Sequence, residues 1–221
     1  MLIIGIDDAG RGPLIGPMIM AGVLIEKKDE EKLKKHNVRD SKLVPHPLRI
    51  KLAELIKGVA IKYHIVKVYP SEIDFSITNR VNLNTLEAKK AAEIINALNS
   101  KDKTNVIIDC PSVNTKAWKN VLLKYIDESN NLDIKCEHKA DVNHVSVSAA
   151  SILAKVSREE EIKKLKLQYG NFGSGYPGDP LTKEFLKNKG KEFKNTGLFR
   201  KSWQTWKALF PQKEQATLER F

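Results

Sequence analysis

Cysteine is scarce in this sequence, and long apolar runs are missing. The two cysteines among 221 residues are Cys110 and Cys136, too few for a disulfide framework or a zinc site built on cysteines. No apolar run reaches the roughly 18 residues that a membrane-spanning helix needs. The first residues also lack the basic and then apolar pattern of a secretion signal. We therefore expect a cytoplasmic protein with no membrane segment.

Flexible linkers, internal repeats and low-complexity tracts are also lacking. The length of 221 residues and the 41% hydrophobic content suit one large domain, or one domain with an appendage.

Positive charge is abundant. The 38 Lys and Arg residues outnumber the 27 Asp and Glu residues and give a formal net charge of +11. Such an excess favours a polyanionic partner, and nucleic acid is the usual one. Charge alone leaves a merely lysine-rich surface as the alternative.

Strand-like and helix-like patterns alternate along the chain, which predicts an α/β fold. The first two strands are joined by a short Gly/Pro turn, so we expect them to be antiparallel and the sheet to be mixed. Gly58 is expected to end the second helix, and residues 70–81 are expected to form a loop with one helical turn. Strands are predicted over residues 2–7, 18–26, 59–69, 105–109 and 134–138, and helices over residues 27–36, 45–57, 82–99, 114–128 and 146–169.

Three of the predicted strands end in acidic residues. Asp7 and Asp8 end the first strand, Asp109 ends the fourth, and Asp141 follows the fifth. Functional groups of α/β sheets gather at the ends of central strands. Converging carboxylates repel one another unless a cation neutralises them, and an all-oxygen ligand set favours Mg²⁺ or Mn²⁺. Two such ions could support phosphodiester hydrolysis, although an ordinary turn after Asp8 is the simpler alternative.

A glycine-rich basic turn directly follows the first acids. Gly10 and Gly12 allow the backbone to approach a ligand closely, and Arg11 between them suits a phosphate. Acids for a metal beside a turn for a phosphodiester indicate metal-assisted chemistry on nucleic acid.

Six motifs in this order resemble ribonuclease HII, and the form of the fourth is similar to that of the archaeal members. The match runs from residue 3 to about residue 180. The motifs are residues 5–13 (Gly-Ile-Asp-Asp-Ala-Gly-Arg-Gly-Pro), 40–42 (Asp-Ser-Lys), 108–109 (Ile-Asp), 138–141 (His-Lys-Ala-Asp), 148–155 (Ser-Ala-Ala-Ser-Ile-Leu-Ala-Lys) and 173–177 (Gly-Ser-Gly-Tyr-Pro).

This resemblance implies a ribonuclease-H-like mixed central sheet flanked by helices, with a C-terminal helical extension. It also implies a metal-dependent endoribonuclease that cuts the RNA strand of RNA–DNA hybrids and single ribonucleotides in duplex DNA, leaving 3′-hydroxyl and 5′-phosphate ends. Two divalent ions, Mg²⁺ or Mn²⁺, would be held by Asp7, Asp8, Asp109 and Asp141. Asp8 departs from the family, which usually has Glu at this position.

The resemblance also suggests how the substrate is recognised. Backbone groups of Gly10, Arg11 and Gly12 would sense the ribose 2′-hydroxyl, the group that distinguishes RNA from DNA. Tyr176 would stack on the sugar or bond at the junction, unless it is only a loop tyrosine that caps the core. The phosphate contacts besides Arg11 would be Lys42, Lys139 and Lys155, for which the simpler alternative is a solvated surface charge.

The resemblance divides the chain into a catalytic domain over residues 1–180, a helical extension over 181–211 and a tail over 212–221. In the tail, Gln215, Leu218 and Phe221 are spaced like the sliding-clamp-binding peptide of replication and repair proteins. We expect a monomer that binds a ribonucleotide-containing duplex, and the clamp through its tail.

Two other functions remain open at this point. One is another metal-dependent nuclease of the same fold, such as a junction resolvase. The other is a nucleic-acid-binding protein with little or no activity, which the unusual Asp8 weakly favours.

Overall fold

A five-stranded mixed sheet forms the centre of the protein, with the strand order β3-β2-β1-β4-β5. The computed structural model describes residues 1–38 and 45–211. β1 pairs antiparallel with β2 and parallel with β4, β2 pairs antiparallel with β3, and β4 pairs parallel with β5. The predicted mixed sheet is confirmed. The strands are β1 (Leu2–Ala9), β2 (Met18–Glu26), β3 (Lys62–Val68), β4 (Thr104–Asp109) and β5 (Leu132–Glu137).

Nine α-helices lie in the described part of the chain, and a 3₁₀ turn at Lys27–Asp29 precedes the first. None of them is both long and apolar enough to cross a membrane. They are α1 (Glu30–Lys35), α2 (His46–Val59), α3 (Pro70–Thr78), α4 (Leu83–Leu98), α5 (Thr115–Leu123), α6 (Ala140–Asn143), α7 (Val145–Tyr169), α8 (Pro180–Lys189) and α9 (Gln204–Leu209).

Helices cover both faces of the sheet because β1 carries apolar side chains on both of its faces. Ile3 and Ala9 pack with residues of α2 and α7, whereas Ile4 and Ile6 pack with residues of α3, α4 and α5. Side chains of a strand alternate between its two faces, so Asp7 continues the α7 side and Asp8 the α4 side.

Gly5 allows α7 to lie against the centre of β1. A Cβ atom on Gly5 would be 2.2 Å from the backbone carbon of Ser146 and 2.3 Å from its oxygen. This close approach places the N-terminal half of α7 beside the end of β1, where the acidic residues lie.

A third apolar cluster joins the C-terminal extension to the segment that follows the Gly-Arg-Gly turn (residues 10–12). Leu14 and Ile15 pack there with Phe172, Phe199 and Trp206, all of them buried. The boundary near residue 180 stays a prediction. Residues 39–44 and 212–221, which include Lys42 and the predicted clamp-binding tail, lie outside the described residues.

The sequence-based prediction missed one helix and misplaced two helix ends, one of which is that of α5, predicted to reach residue 128 but ending at Leu123. Residues 70–78 form a helix instead of a loop, because Pro70 at the first turn suits a helix start and Ile73 is buried against the sheet. Gly58 lies inside α2, which continues to Val59, so this glycine does not end the helix.

The surroundings of Gly5 and Gly58 predict opposite effects of substitution by alanine. Gly5→Ala should lower the free energy of unfolding by about 3 kcal/mol, because the new methyl group would force α7 away from β1. Gly58→Ala should raise it by about 0.5–1 kcal/mol, because nothing lies within 4 Å of the new Cβ and alanine favours the helix.

Urea-induced unfolding of both variants measures the two changes. Equal effects of the two substitutions would contradict the close packing of α7 on β1.

Candidate active site

The end of β1 buries a carboxylate on the α7 side. Asp7 is only 5% exposed, accepts a hydrogen bond from the hydroxyl of Ser151, and also accepts one of 2.7 Å from the backbone N–H of Asp8. Burial raises the pKa of Asp7 well above its usual value, and the charges of Asp8 and Asp109 raise it further. The folded protein therefore resists placing full negative charge here.

Asp8 meets a second acid on the α4 side. Burial raises the pKa of Asp8 to about 7, and the nearby charge of Glu87 contributes to the increase. Asp109 raises the pKa further, whereas Arg11 and Lys155 lower it. The charge of Asp109 thus raises the pKa of both Asp7 and Asp8, although their side chains lie on opposite faces of β1.

Asp109 and Asp141 are linked through the turn that follows β5. Asp109 comes directly after the last registered pair of β1 and β4, Ile6 with Ile108. Its Oδ1 accepts a hydrogen bond of 3.0 Å from the backbone N–H of Ala140. Lys139 adopts a left-handed φ of 55°, which turns the chain into α6. Asp141, the next residue after Ala140, is buried in this short helix.

The four predicted acids therefore come to one edge of the sheet but do not form a closed cage. Asp7, Asp8 and Asp109 interact electrostatically, and Asp141 lies one residue from a contact of Asp109. Across residues 1–38 and 45–211, no three His, Cys, Asp or Glu side chains are arranged to enclose one ion. The donor chemistry, oxygen atoms of mutually repelling carboxylates, fits a hard divalent cation.

A cavity of about 280 Å³ lies beside the end of β1. Asp8 lies on its wall, together with the whole Gly-Arg-Gly turn, Lys155, Arg158 and Tyr176. Gly10 has a φ of +82°, and a Cβ on it would be 2.2 Å from Nε of Arg158. Only glycine therefore fits at this position.

Arg11 is held by α4. Its Nε donates to Glu87 Oε1 at 2.8 Å, and its Nη2 donates to Asn84 Oδ1 at 2.6 Å. The side chain is 39% exposed, so part of it still reaches solvent. A phosphate contact by Arg11 stays a prediction.

Tyr176 stands beside the turn, in partial contact with solvent. A Cβ on Gly12 would be 3.6 Å from the Cε1 atom of Tyr176, and the Arg158 guanidinium lies 5.6 Å from the centre of the tyrosine ring. The carbonyl of Gly175 accepts a hydrogen bond of 2.8 Å from the Leu14 N–H, which ties the tyrosine loop to the chain after the turn.

The predicted lysines are separated. Lys155 lines the cavity with Asp8, and Lys139 is exposed in the turn before α6. Lys42 and the predicted clamp-binding residues Gln215, Leu218 and Phe221 lie outside the described residues.

Sequence reasoning missed three charged residues here. Glu87 is 1% exposed and its pKa is raised by burial to about 7. The Nε and Nη2 atoms of Arg158 are buried without a hydrogen-bond partner in the described structure. The sequence held a signal for Glu87 and for Arg158. Glu87 follows Leu83 by four residues, which places it on the apolar face of α4, and Arg158 follows Lys155 by three residues, which places it on the same face of α7. The third residue, Arg200, is buried beneath the Gly-Arg-Gly turn.

Comparison with known proteins agrees with this architecture. The family model described as Ribonuclease HII matches residues 4–206. Ribonuclease HII of Pyrococcus furiosus is 42% identical, over 100% of this chain and 98% of its own length. The crystal structure of ribonuclease H2 from Pyrococcus horikoshii OT3 superposes with a TM-score of 0.86 at 37% identity, covering 95% of this chain and 97% of its own.

For a second solved structure, the match covers 100% of this chain and 100% of the matched chain. That structure is the PCNA:RNase HII complex from Archaeoglobus fulgidus, with a TM-score of 0.81 and 35% identity. The predicted ribonuclease-H-like fold is confirmed by these structures. Matches of this extent along the whole chain show that the protein belongs to the ribonuclease HII family.

Proposed function

We propose that this protein is a metal-dependent endoribonuclease that cuts the RNA strand of RNA–DNA hybrids and also cuts at single ribonucleotides in duplex DNA. Membership of the ribonuclease HII family supports the ribonuclease H activity on hybrids. The observation that carries the finer proposal is the adjacency of the two parts of the site. Asp8, which follows the buried Asp7 on β1, lines a cavity whose wall also includes the Gly-Arg-Gly turn and Tyr176.

In this proposal, Asp7, Asp8, Asp109 and Asp141 hold two divalent ions, Mg²⁺ or Mn²⁺. Bound ions of this kind activate water and stabilise charge on the scissile phosphate and leaving oxygen. The burial and mutual repulsion of Asp7 and Asp8 favour binding of a cation. Hydrolysis on the 5′ side of the ribonucleotide would leave 3′-hydroxyl and 5′-phosphate ends.

The cavity would receive the ribonucleotide. The turn would offer backbone N–H groups to the 2′-hydroxyl, and Tyr176 would pack against the sugar. Lys155 and Arg158 supply positive charge on the same wall. The buried, unpartnered N–H atoms of Arg158 favour an anion there, and a substrate phosphate is the natural one. Lys42 and Lys139 remain further candidate contacts.

The two alternatives have less support. A nuclease that ignores the sugar has no need for a tyrosine ring against a glycine turn. A protein that only binds nucleic acid would gain nothing from carboxylates that repel one another and the phosphate backbone. The Asp8 side chain, shorter than the usual Glu, would reach a metal less directly.

The C-terminal tail is proposed to bind a sliding clamp. The basis is the spacing of Gln215, Leu218 and Phe221, together with the similarity to the chain in the PCNA:RNase HII complex. Deletion of residues 212–221 should abolish capture of the protein by immobilised clamp while hybrid cleavage persists. Undiminished capture of the shortened chain would disprove this partner site.

Substitution of Asp7 tests the proposed chemistry. Asp7→Asn preserves the size of the side chain but removes its charge, so cleavage of an RNA–DNA hybrid should fall about a thousandfold. Binding of the hybrid, measured by fluorescence anisotropy, should persist, because Asp7 is buried and contacts α7. A protein that only binds nucleic acid would have no cleavage to lose.

The matched control is Asp133→Asn, the same change at an exposed position near the opposite end of β5. It should leave cleavage unchanged. Cleavage by Asp7→Asn at the wild-type rate would contradict the assignment of this residue.

Thermal unfolding tests the cation without relying on activity. Without metal, stability should fall as pH rises from about 4 to 7, because folded Asp8 and Glu87, each with a pKa of about 7, keep protons that the unfolded chain releases near pH 4. Saturating Mg²⁺ should raise the Tm by about 5 °C at pH 8 and much less at pH 5, since protonated carboxylates do not bind it.

Asp7→Asn should lose most of this Mg²⁺-dependent increase in Tm at matched ionic strength. An increase of the same size in the variant would place the cation elsewhere.

A further inference from the structure

Arg200 is a completely buried arginine whose location the sequence did not predict. It lies between α8 and α9, in a segment that runs alongside the chain after the Gly-Arg-Gly turn. The Arg200 N–H donates to the Leu14 carbonyl at 2.9 Å, and the Gly16 N–H donates to the Leu198 carbonyl at 3.1 Å. The C-terminal extension is therefore bonded directly to the segment that follows the Gly-Arg-Gly turn.

The Arg200 side chain binds the backbone of the turn. Its guanidinium donates to the carbonyls of Gly10 and Arg11, each at 2.6 Å, and to the carbonyl of Gly16 at 3.1 and 3.0 Å. Trp203 completes the arrangement, because its indole N–H donates to the Gly12 carbonyl at 3.0 Å. Three consecutive carbonyls of the turn thus accept hydrogen bonds from the extension.

These bonds also fix the direction of the turn's N–H groups. A trans peptide points its C=O and N–H in opposite directions, and no peptide bond of the described chain is cis. The Gly10 carbonyl shares a peptide with the Arg11 N–H, and the Arg11 carbonyl shares one with the Gly12 N–H. Both N–H groups therefore point away from Arg200, and neither donates to another residue in the described structure.

Burial of a guanidinium cation costs free energy unless hydrogen bonds offset the lost hydration. The hydrogen-bond acceptors of Arg200 are carbonyls, and the rigid fork of an arginine suits several carbonyls at once. The ring of Trp203 lies 5.0 Å from the guanidinium and covers it. Lysine has one ammonium group and could not hold Gly10, Arg11 and Gly16 together.

We propose that Arg200 is a positioning residue for ribonucleotide recognition. By holding the carbonyls of residues 10–12, Arg200 and Trp203 direct the N–H groups of Arg11 and Gly12 toward the ribose 2′-hydroxyl. This inference rests on the proposed recognition of that hydroxyl by the turn. It assigns part of the substrate selectivity to the extension, outside the residues that line the cavity.

The test compares two DNA duplexes that are identical except for one ribonucleotide. Affinities are measured by fluorescence anisotropy in the Asp7→Asn background, which is expected to prevent cleavage. The parent should bind the ribonucleotide duplex about tenfold more tightly than the all-DNA duplex. Arg200→Lys keeps the charge but should reduce this ratio to about one, with little change in the affinity for all-DNA duplex.

Lys201→Gln is the matched control, because it removes an exposed neighbouring charge without touching the turn. It should preserve the affinity ratio. Trp203→Phe removes the hydrogen bond to the Gly12 carbonyl but keeps an aromatic ring beside Arg200, so it should lower the ratio partially. This variant decides the question if Arg200→Lys fails to fold.

Each remaining outcome has a distinct meaning. An unchanged ratio in Arg200→Lys, or in Trp203→Phe where that variant decides, would overturn the positioning role. A parallel loss of affinity for both duplexes would overturn it too, because it would indicate a purely structural residue. No preference in the parent would overturn the proposed recognition of the 2′-hydroxyl itself, and this role with it.

Discussion

Electrostatic repulsion among buried carboxylates is the constraint on which the rest of this site depends. Asp7 and Asp8 are adjacent on one strand, face opposite sides of the sheet, and both sense Asp109. Burial and neighbouring charge hold the pKa of each above its ordinary value, so the folded chain stores unfavourable energy at the end of β1. The cationic groups of Arg11 and Lys155 reduce this energy for Asp8. A divalent cation would reduce it for the whole cluster, which links metal binding to the stability of the fold.

The substrate side of the site depends on close contact between backbone and arginine. Gly10 leaves space for Arg158 on the cavity side, and Arg200 holds the carbonyls of the same turn from the opposite side. Arg11, whose side chain is bonded to Glu87 and Asn84, anchors the turn to α4. Three elements distant in sequence, α4, α7 and the C-terminal extension, therefore fix three residues of backbone. This arrangement suits recognition by backbone groups, since such recognition requires a turn that does not move.

Local sequence patterns were sufficient for the strands, the mixed character of the sheet and the acids near the strand ends, but not for the strand order that brings those ends together. The isoleucines of β1 and the acids that end β1 and β4 follow from strand periodicity, and the mixed topology follows from the short link between β1 and β2. The periodicity argument failed for α3, where burial of Ile73 stabilises a helix. The use of glycine as a helix terminator failed at Gly58, which the helix tolerates near its exposed end. Arg200 could not be predicted, because its role arises from contacts about 190 residues away along the chain and no local pattern encodes such a distance.

Cleavage of a DNA duplex that carries one ribonucleotide is the most direct test of the central claim, which joins the carboxylate cluster to the turn in one site. The duplex is incubated with the full chain and Mg²⁺ or Mn²⁺, beside an all-DNA duplex of the same sequence, and the products are resolved at single-nucleotide length. The account predicts one cut on the 5′ side of the ribonucleotide and no cut in the all-DNA duplex. Cleavage of both duplexes, or tight binding without cleavage under either metal, would contradict it.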